Sequence, residues 1–378
     1  MSRRMAAWVL VATALCACAC SGCGQLLSIG PNAVVLGVAL DTAEAGITAT
    51  VQMYHHGGPT GQAGGGGGGG AAGGGGGGGS TSQPIVLTLQ GSGPDFAQAM
   101  LGIQAQTDVR MGFWTTDLVL IGQSLARAGV RGPLDGLLRD GNFSLRAQVA
   151  VVEGDAGKLL QAPQPAGTAV ELGERLKKSA STNSGSIPIA FWRFMARATT
   201  TYRGAWAPVL VQTAQGYSAA GTAVFRGDRL AGVLGPHRSR ALGWILRTGG
   251  FEPLSLETAG TGLVTLDVVG HRVHLRLDGP DSGTITLTLM TRVHQAPGLT
   301  LRATSSPRTL EAEASAEATR QLRAAVTSLQ ADGADVLGFG SLERQRDPAA
   351  VAGWPQVFSR MHIALDVTVR IQPGGRLA

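Results

Sequence analysis

The chain has only four cysteines, and all of them lie near its beginning, at positions 16, 18, 20 and 23. The 355 residues after Cys23 contain none. That long segment therefore cannot form the disulfide framework that stabilises many small secreted domains.

Long apolar runs are equally scarce. The run from Met5 to Ala19 extends over about 15 residues, and no later segment approaches that length without a charge or a turn signal. Arg3 and Arg4 precede it, and the small residues Ser21 and Gly22 follow it. A membrane-spanning helix needs about 20 apolar residues. The order of a basic start, a short apolar core and small residues is instead typical of a secretory signal peptide. We therefore predict a signal peptide over residues 1–22.

The cysteine directly after this segment, Cys23, predicts a lipid anchor. In bacterial lipoprotein processing the thiol at this place is alkylated by diacylglycerol, and the new N-terminus is then acylated. Two or more acyl chains give a stable anchor, since each buried methylene contributes about 0.8 kcal/mol. Cys18, with Leu15 three residues before it, is the alternative site. A plain signal peptide with incidental cysteines is a second alternative, and we assign residues 23–32 to a lipidated tether.

Strong charge of one sign is also missing. Without Arg3 and Arg4 the chain has 29 basic and 25 acidic residues, a formal charge of +4, and no basic cluster is interleaved with aromatic residues. This distribution argues against nucleic-acid binding and favours anionic lipid headgroups only weakly. Hydrophobic residues form 44% of the chain, which is enough for two or three packed domains.

The first half of the chain predicts an α/β region over residues 33–196. Ala33 to Leu40 is a buried-type strand, and residues 47–53 alternate apolar and polar side chains after a turn. Strand patterns at 118–121 and 147–152 alternate with helical patterns. The glycine-rich insert 57–82 cannot bury enough apolar surface to fold, so it is predicted to be a disordered loop.

The second half predicts an α+β region over residues 200–375. Arg226-Gly227-Asp228-Arg229 lies between two apolar runs and indicates a hairpin. Alternating strands at 273–277 and 285–293 precede a helix over 310–330, and a strand over 363–371 closes the region. The chain as a whole is therefore predicted to be a multi-domain α+β protein with mixed sheets and packed helices.

Serine and histidine chemistry offers weak candidates. Ser124 follows a strand and opens a helix, as a hydrolase nucleophile does, but the surrounding Gly-Gln-Ser-Leu-Ala lacks the final glycine of that motif. A helix-starting serine is a simpler interpretation. His271 and His274 are three apart on a strand, so they face opposite sides and cannot share a metal. The adjacent pair His55 and His56 has no third ligand nearby in sequence.

The carboxylates Asp332, Asp335 and Glu343 are candidates for acid–base chemistry, but solvated groups at a helix end explain them equally well. The residues alone therefore predict no enzyme, no cofactor and no metal site.

Several segments in order resemble the Ger(x)C family, the lipoprotein C subunits of nutrient germinant receptors in spore-forming bacteria. The family pattern has an apolar strand ending in Gly-x-x-x-Asp after the lipidated cysteine, here at Gly37 and Asp41. It continues with an Asp-Leu-Val-Leu-Ile-Gly segment at 117–122, a hairpin at 221–232 and an Asp-x-x-Gly-Phe-Gly element at 335–340. The glycine insert and Gly24-Gln25-Leu26-Leu27 depart from the family pattern.

The resemblance implies a non-catalytic receptor subunit that acts in spore germination. Its partners would be the integral-membrane A and B type subunits, and its acylated cysteine would hold it on the outer face of the spore inner membrane. Two alternatives belong to other classes of protein. One is a solute-binding lipoprotein of a transport system, and the other is an envelope serine hydrolase that uses Ser124.

Overall fold

The computed structural model describes residues 32–55, 85–162, 168–179, 186–213, 216–246, 253–258, 262–296 and 307–372. The predicted signal peptide, Cys23, the tether and the insert 57–82 lie outside the described residues. Among the helices of the described ranges, none is both long and apolar enough to cross a membrane.

A mixed nine-stranded sheet forms the first layer of the fold, in the order β3-β2-β1-β5-β6-β7-β8-β9, with β4 paired to β1. Strands β1, β5, β6 and β7 run parallel, while hairpin strands flank them on both sides. The strands are β1 Asn32–Ala43, β2 Gly46–His55, β3 Ile85–Gly93, β4 Arg110–Gly112, β5 Leu118–Gly122, β6 Gln148–Val152, β7 Trp206–Thr213, β8 Gly216–Arg226 and β9 Arg229–Leu234.

Helices cover both faces of this sheet, which explains why its central strands are apolar throughout. All five residues of β5 are buried, as expected for a parallel strand between two helical layers. Two separate apolar clusters lie on the two sides of the sheet. The helices of this region are α1 Phe96–Gln104, α2 Gln123–Ala128, α3 Arg131–Arg139, α4 Ala156–Leu160, α5 Thr168–Ser179 and α6 Phe191–Ala198.

Strand β2 shows how far the apolar–polar alternation was informative. Apolar and polar side chains alternate along it, as predicted, but the polar Thr50 and Gln52 are also buried. The Gln52 amide donates to the Leu160 carbonyl (2.9 Å) and accepts from the Ala169 N–H (2.8 Å). Gln52 therefore binds the two helices that cover it, because a buried amide needs partners for both its ends.

A second, four-stranded sheet has the order β10-β11-β12-β13. Its last pair is parallel, so the chain crosses over between β12 and β13 through the long helix α8. Buried and half-buried residues alternate along β12, as in a sheet with one face against the core. The elements are α7 Pro236–Leu246, β10 Leu254–Thr258, β11 Gly262–Gly279, β12 Ser282–Gln295, α8 Pro307–Ala331, α9 Phe339–Arg346, α10 Trp354–Arg360 and β13 His362–Ile371.

The predicted fold class, mixed sheets with packed helices, is confirmed by this architecture. The hairpin of β8 and β9 extends the first sheet, although the sequence analysis had placed it in the region that begins at residue 200. The division into regions 33–196 and 200–375 stays a prediction.

Candidate functional site

Asp335, in the second half of the fold, has a buried carboxylate that accepts several hydrogen bonds. It lies between α8 and α9 and is only 2% exposed. Its carboxylate accepts hydrogen bonds from the N–H groups of Gly338 (2.7 Å) and Gly340 (2.6 Å), and from Trp354 Nε1 (2.9 Å). The Phe339 N–H is a further donor at 3.3 Å. Asp335 therefore binds the start of α9 and joins it to α10.

Arg197 connects this carboxylate to the first sheet. The guanidinium donates from Nε to the Gly204 carbonyl and from Nη2 to the Val336 carbonyl, both at 2.7 Å, and lies 4.9 Å from the centre of the Trp206 ring. Burial lowers the pKa of Arg197 to about 10, while the charge of Asp335 opposes that change. At neutral pH the side chain therefore remains a cation held by carbonyls and an aromatic face.

Burial raises the pKa of Asp335, and the hydrogen bonds from Gly340, Gly338 and Trp354 together with the charge of Arg197 act in the opposite direction. We name the set Asp335, Arg197, Gly340 and Trp354 the Asp335 junction. It joins α6 and the loop before β7 to α9 and α10, so it links elements that are far apart in the chain. Its geometry indicates a structural function, because its donors and acceptors bind one another.

The two glycines of the Asp-x-x-Gly-Phe-Gly element are needed for different structural reasons. Gly338 has a φ of +105°, a conformation that side chains disfavour. A Cβ at Gly340 would lie 1.9 Å from the Tyr202 carbonyl oxygen. Phe339 is buried against Gly283 of β12. The element is therefore a tight connection between the sheet and α9.

The three carboxylates that the sequence offered for acid–base work have different surroundings. Asp332 is half-buried, and burial raises its pKa while Arg226 and Arg238 act in the opposite direction. Both oxygens of Asp335 accept backbone or indole hydrogen bonds. Glu343 is buried with one oxygen that lacks a hydrogen-bond partner. No shared partner brings the three together within the described part of the chain.

The serine and histidine candidates are also separate. Ser124 is exposed as the second residue of α2, whose N-cap is Gly122. His271 pairs with buried Leu289 and His274 with half-buried Thr286, so the two imidazoles lie on opposite faces, as predicted. His55 ends β2, while His56 lies outside the described residues. Over the described ranges, no group of three or more potential ligands could hold a metal ion.

A half-buried carboxylate, Asp41, lies where the parallel strands of the first sheet end. Its oxygens accept from the N–H groups of Ala156 (2.9 Å) and Gly157 (2.8 Å) at the start of α4. A Cβ at Gly122, at the end of β5, would lie 2.0 Å from Asp41 Oδ1. In the sequence, Asp41 is part of the family pattern only. Its position at the end of an apolar strand is the feature that could have indicated this site.

We predict that the Asp41→Asn variant changes the pH dependence of stability. Burial raises the pKa of Asp41; the two amide N–H groups oppose this rise, and neighbouring Asp155 adds to it. A carboxyl with a raised pKa takes up a proton on folding, so its contribution to stability falls as the pH rises from 3.8 through the folded value. Relative to the variant, the unmodified chain should therefore lose stability over this window.

Urea unfolding at several pH values measures this difference, with Glu153→Gln as an exposed control for the loss of one charge. A difference between the Asp41→Asn and unmodified chains that grows in favour of the unmodified chain as the pH rises would contradict the prediction.

Comparison with known proteins identifies the family to which this chain is similar. A family model for the spore germination protein N-terminal domain matches residues 31–212. A second model, described as spore germination B3/GerAC like, C-terminal, matches residues 220–375. This chain belongs to the GerAC-like spore germination family. The chain therefore has the role of a germinant receptor C subunit in spore germination, and the matches contain no sign of a transport system.

A solved structure supports the same fold. The crystal structure of the GerBC protein aligns with a TM-score of 0.52 at 13% identity, over 89% of this chain and 96% of that one. A comparison with curated proteins finds no significant match.

Proposed function

We propose that this spore germination protein is a non-catalytic receptor subunit, held at the membrane by acyl chains on Cys23. The observation that carries the proposal is the pair of family matches, which cover residues 31–212 and 220–375 in order. The first match begins eight residues after Cys23, which leaves a short tether between a lipidated cysteine and β1.

The proposed partners are the integral-membrane A and B type subunits of a nutrient germinant receptor. Confinement to one bilayer raises the effective concentration of the chain at such partners. Contacts that differ between two receptor states would then shift the equilibrium between those states. The subunit can contribute to germination in this way without a catalytic residue.

The proposed location is the outer face of the spore inner membrane. The chain would consist of a signal peptide (1–22), a lipidated tether (23–32), an N-terminal region (33–196) and a C-terminal region (200–375). The order of a basic start, an apolar core and small residues before Cys23 supports this arrangement.

Replacement of the anchor residue tests the proposal. In a spore-former that carries the gene, we expect Cys23→Ala to abolish incorporation of labelled palmitate and to move the chain from the membrane to the soluble fraction. The nutrient response of the spores should be lost with it. Cys18→Ala is the matched control and should leave lipidation, location and response unchanged.

Two outcomes would contradict parts of the proposal. Lipidation that survives Cys23→Ala and disappears with Cys18→Ala would overturn the anchor assignment. Labelling of Ser124 by a fluorophosphonate probe, lost in Ser124→Ala, would overturn the non-catalytic assignment.

A further inference from the structure

Several exposed apolar side chains lie at one edge of the first sheet, the edge formed by the beginnings of its parallel strands. Among the described residues, nine large hydrophobic side chains are exposed, and only two of them are tryptophans. Trp114 is 45% exposed and Trp192 is 54% exposed, whereas Trp206, Trp244 and Trp354 are at most 2% exposed. An exposed tryptophan leaves a large apolar surface in water, so two of them on one edge indicate a surface that binds something.

Backbone hydrogen bonds bring the two tryptophans to one place. The Ser144 N–H donates to the Phe113 carbonyl (3.1 Å), and the Trp192 N–H donates to the Leu145 carbonyl (3.0 Å). Leu145 is itself 45% exposed. We name Trp114, Leu145 and Trp192 the amino-edge patch, for the reason given next.

The amino-edge patch lies where the parallel strands begin. Leu118 pairs with Gln148 at the start of β5 and β6, and the patch residues Trp114 and Leu145 come shortly before those two positions. Gly37 of β1 pairs with Leu118, so the first residues of β1 extend toward the same edge. The Asp117 N–H, which donates to the Leu36 carbonyl at 2.9 Å, fixes this alignment.

An apolar groove adjoins the patch between α1, β4 and α3. Its volume is about 650 Å³, and its lining includes Met100, Leu101, Met111 and Phe113. Leu101 is 60% exposed. The Trp114 ring lies against Gly112, where a Cβ would be 1.8 Å from the ring, so the patch and the groove form one continuous surface.

Basic side chains surround this apolar surface. Arg110, Arg146 and Arg193 are exposed, and each is within four residues of a member of the patch. The carboxylate of Asp117, on the same edge, is bound by Lys177. Arg110 and Arg139 also outnumber Asp140 among the charged residues that line the groove. The rim therefore has a net positive charge, which complements anionic phospholipid headgroups.

We propose that the amino-edge patch lies on the surface of an anionic phospholipid bilayer and sets the orientation of the subunit on the membrane. This proposal rests on the proposed anchor at Cys23. Ala33 is the tenth residue after Cys23, so the tether can extend at most about 35 Å from the bilayer. The chain enters β1 at the edge that carries the patch, and that edge is therefore the one that the anchor keeps near lipid.

The chemistry of the patch fits the depth of phospholipid headgroups. Tryptophan is enriched at membrane interfaces, where its ring is in an apolar layer and its N–H remains in a polar one. Arginines at the rim would bind phosphates while the two indoles and Leu145 enter the boundary between headgroups and acyl chains. The apolar groove would accept the upper part of an acyl chain.

Quenching of tryptophan fluorescence by brominated phospholipids tests the proposal in the full lipidated chain. Cleavage before Cys23 removes Trp8, so the lipidated chain contains Trp114 and Trp192 together with the three buried tryptophans. Reconstituted in vesicles of phosphatidylcholine and phosphatidylglycerol, this chain should be strongly quenched. The added pair Trp114→Phe and Trp192→Phe should remove most of the quenching.

A second measurement separates the patch from the anchor. The Cys23→Ala chain, although released from the membrane on fractionation of spores, should still associate weakly with vesicles of pure phosphatidylglycerol. Trp192→Ser should weaken that association by roughly tenfold if the ring buries about 50 Å² of apolar surface. Neutralising Arg193 to Gln should weaken it about fivefold. Leu263→Ser, at an exposed leucine of β11, is the matched control and should leave the association unchanged.

Each outcome has one meaning. A lipidated chain that floats with vesicles but shows no quenching of Trp114 or Trp192 would overturn the orientation and leave the anchor intact. Palmitate labelling that is unchanged by Cys23→Ala would overturn the anchor assignment. Quenching of Trp114 and Trp192 in that chain would still support the patch. A photocrosslinker at position 192 that captures an integral subunit in spores, together with no quenching by lipid, would overturn the proposal in favour of a protein partner.

Discussion

Replacement of Asp335 by alanine is expected to lower the free energy of unfolding by about 4 kcal/mol. The carboxylate is 2% exposed and accepts from the N–H groups of Gly338 and Gly340 and from Trp354 Nε1. Without it these donors would stay buried with no acceptor, and Arg197 would lose the negative charge that compensates its burial. Urea unfolding measures the change.

Two further variants separate this cause from a general effect of charge. Asp332→Ala removes a carboxylate that is three residues away and only half-buried, so it should cost less than about 1 kcal/mol. Asp335→Asn keeps the shape but turns an NH₂ group toward some of the donors, so its cost should lie between the two. Equal stability of the Asp335→Ala and Asp332→Ala chains would show that the junction does not stabilise the fold as described.

The second large effect is expected for Gly340→Ala, which should destabilise the fold by about 3 kcal/mol. A Cβ at this position would lie 1.9 Å from the Tyr202 carbonyl oxygen and 2.5 Å from Trp354 Nε1. The first of these atoms is backbone, so the loop that precedes β7 would have to move. The same movement would strain the Arg197 hydrogen bond to the Gly204 carbonyl.

Gly132→Ala is the matched control for this substitution. Gly132 lies in α3, and a Cβ there would meet nothing within 4 Å. Alanine in a helix is favoured over glycine by roughly 0.5–1 kcal/mol, so this variant should be slightly more stable than the unmodified chain. Thermal unfolding of the two variants should therefore shift in opposite directions; a Gly340→Ala chain that melts with the unmodified one would contradict the tight packing.

Periodicity predicted those elements whose sequence has one apolar face. The strands at 33–40 and 47–53 are the β1–β2 hairpin, and the helix over 310–330 is α8, Pro307–Ala331. Gly333, which follows the end of α8, has a φ of +61°, as is typical of a glycine after a helix. The strand over 363–371 is β13. In each case the side-chain pattern repeats long enough for local sequence to determine the element.

Contacts between distant segments could not be predicted in this way. Arg197 and Val336 are 139 residues apart in sequence, and no local pattern pairs them. Thr50 and Gln52 have the pattern of a solvent face, yet two helices that follow much later in the chain cover them. The exposure of Trp114 and Trp192 is likewise a property of tertiary structure, since an isolated tryptophan in sequence suggests burial.

The sequence therefore indicated the family resemblance but did not indicate a functional site. The Asp-x-x-Gly-Phe-Gly element was quoted as a family pattern, and the structure gives its physical reason: Asp335 binds the start of α9, and Gly340 allows the close approach of the loop before β7. Of the three carboxylates considered for catalysis, Asp335 takes part in the packing of α9 and α10. A receptor subunit that acts by contact is consistent with this distribution of polar groups.

The nutrient response of spores that lack this gene tests the central claim most directly. Spores of the deletion strain, exposed to a panel of nutrients, should fail to germinate with at least one of them, and the intact gene should restore that response. Germination with agents that bypass nutrient receptors should be unchanged. A deletion strain that responds normally to every nutrient would contradict the assignment of this chain as a germinant receptor subunit.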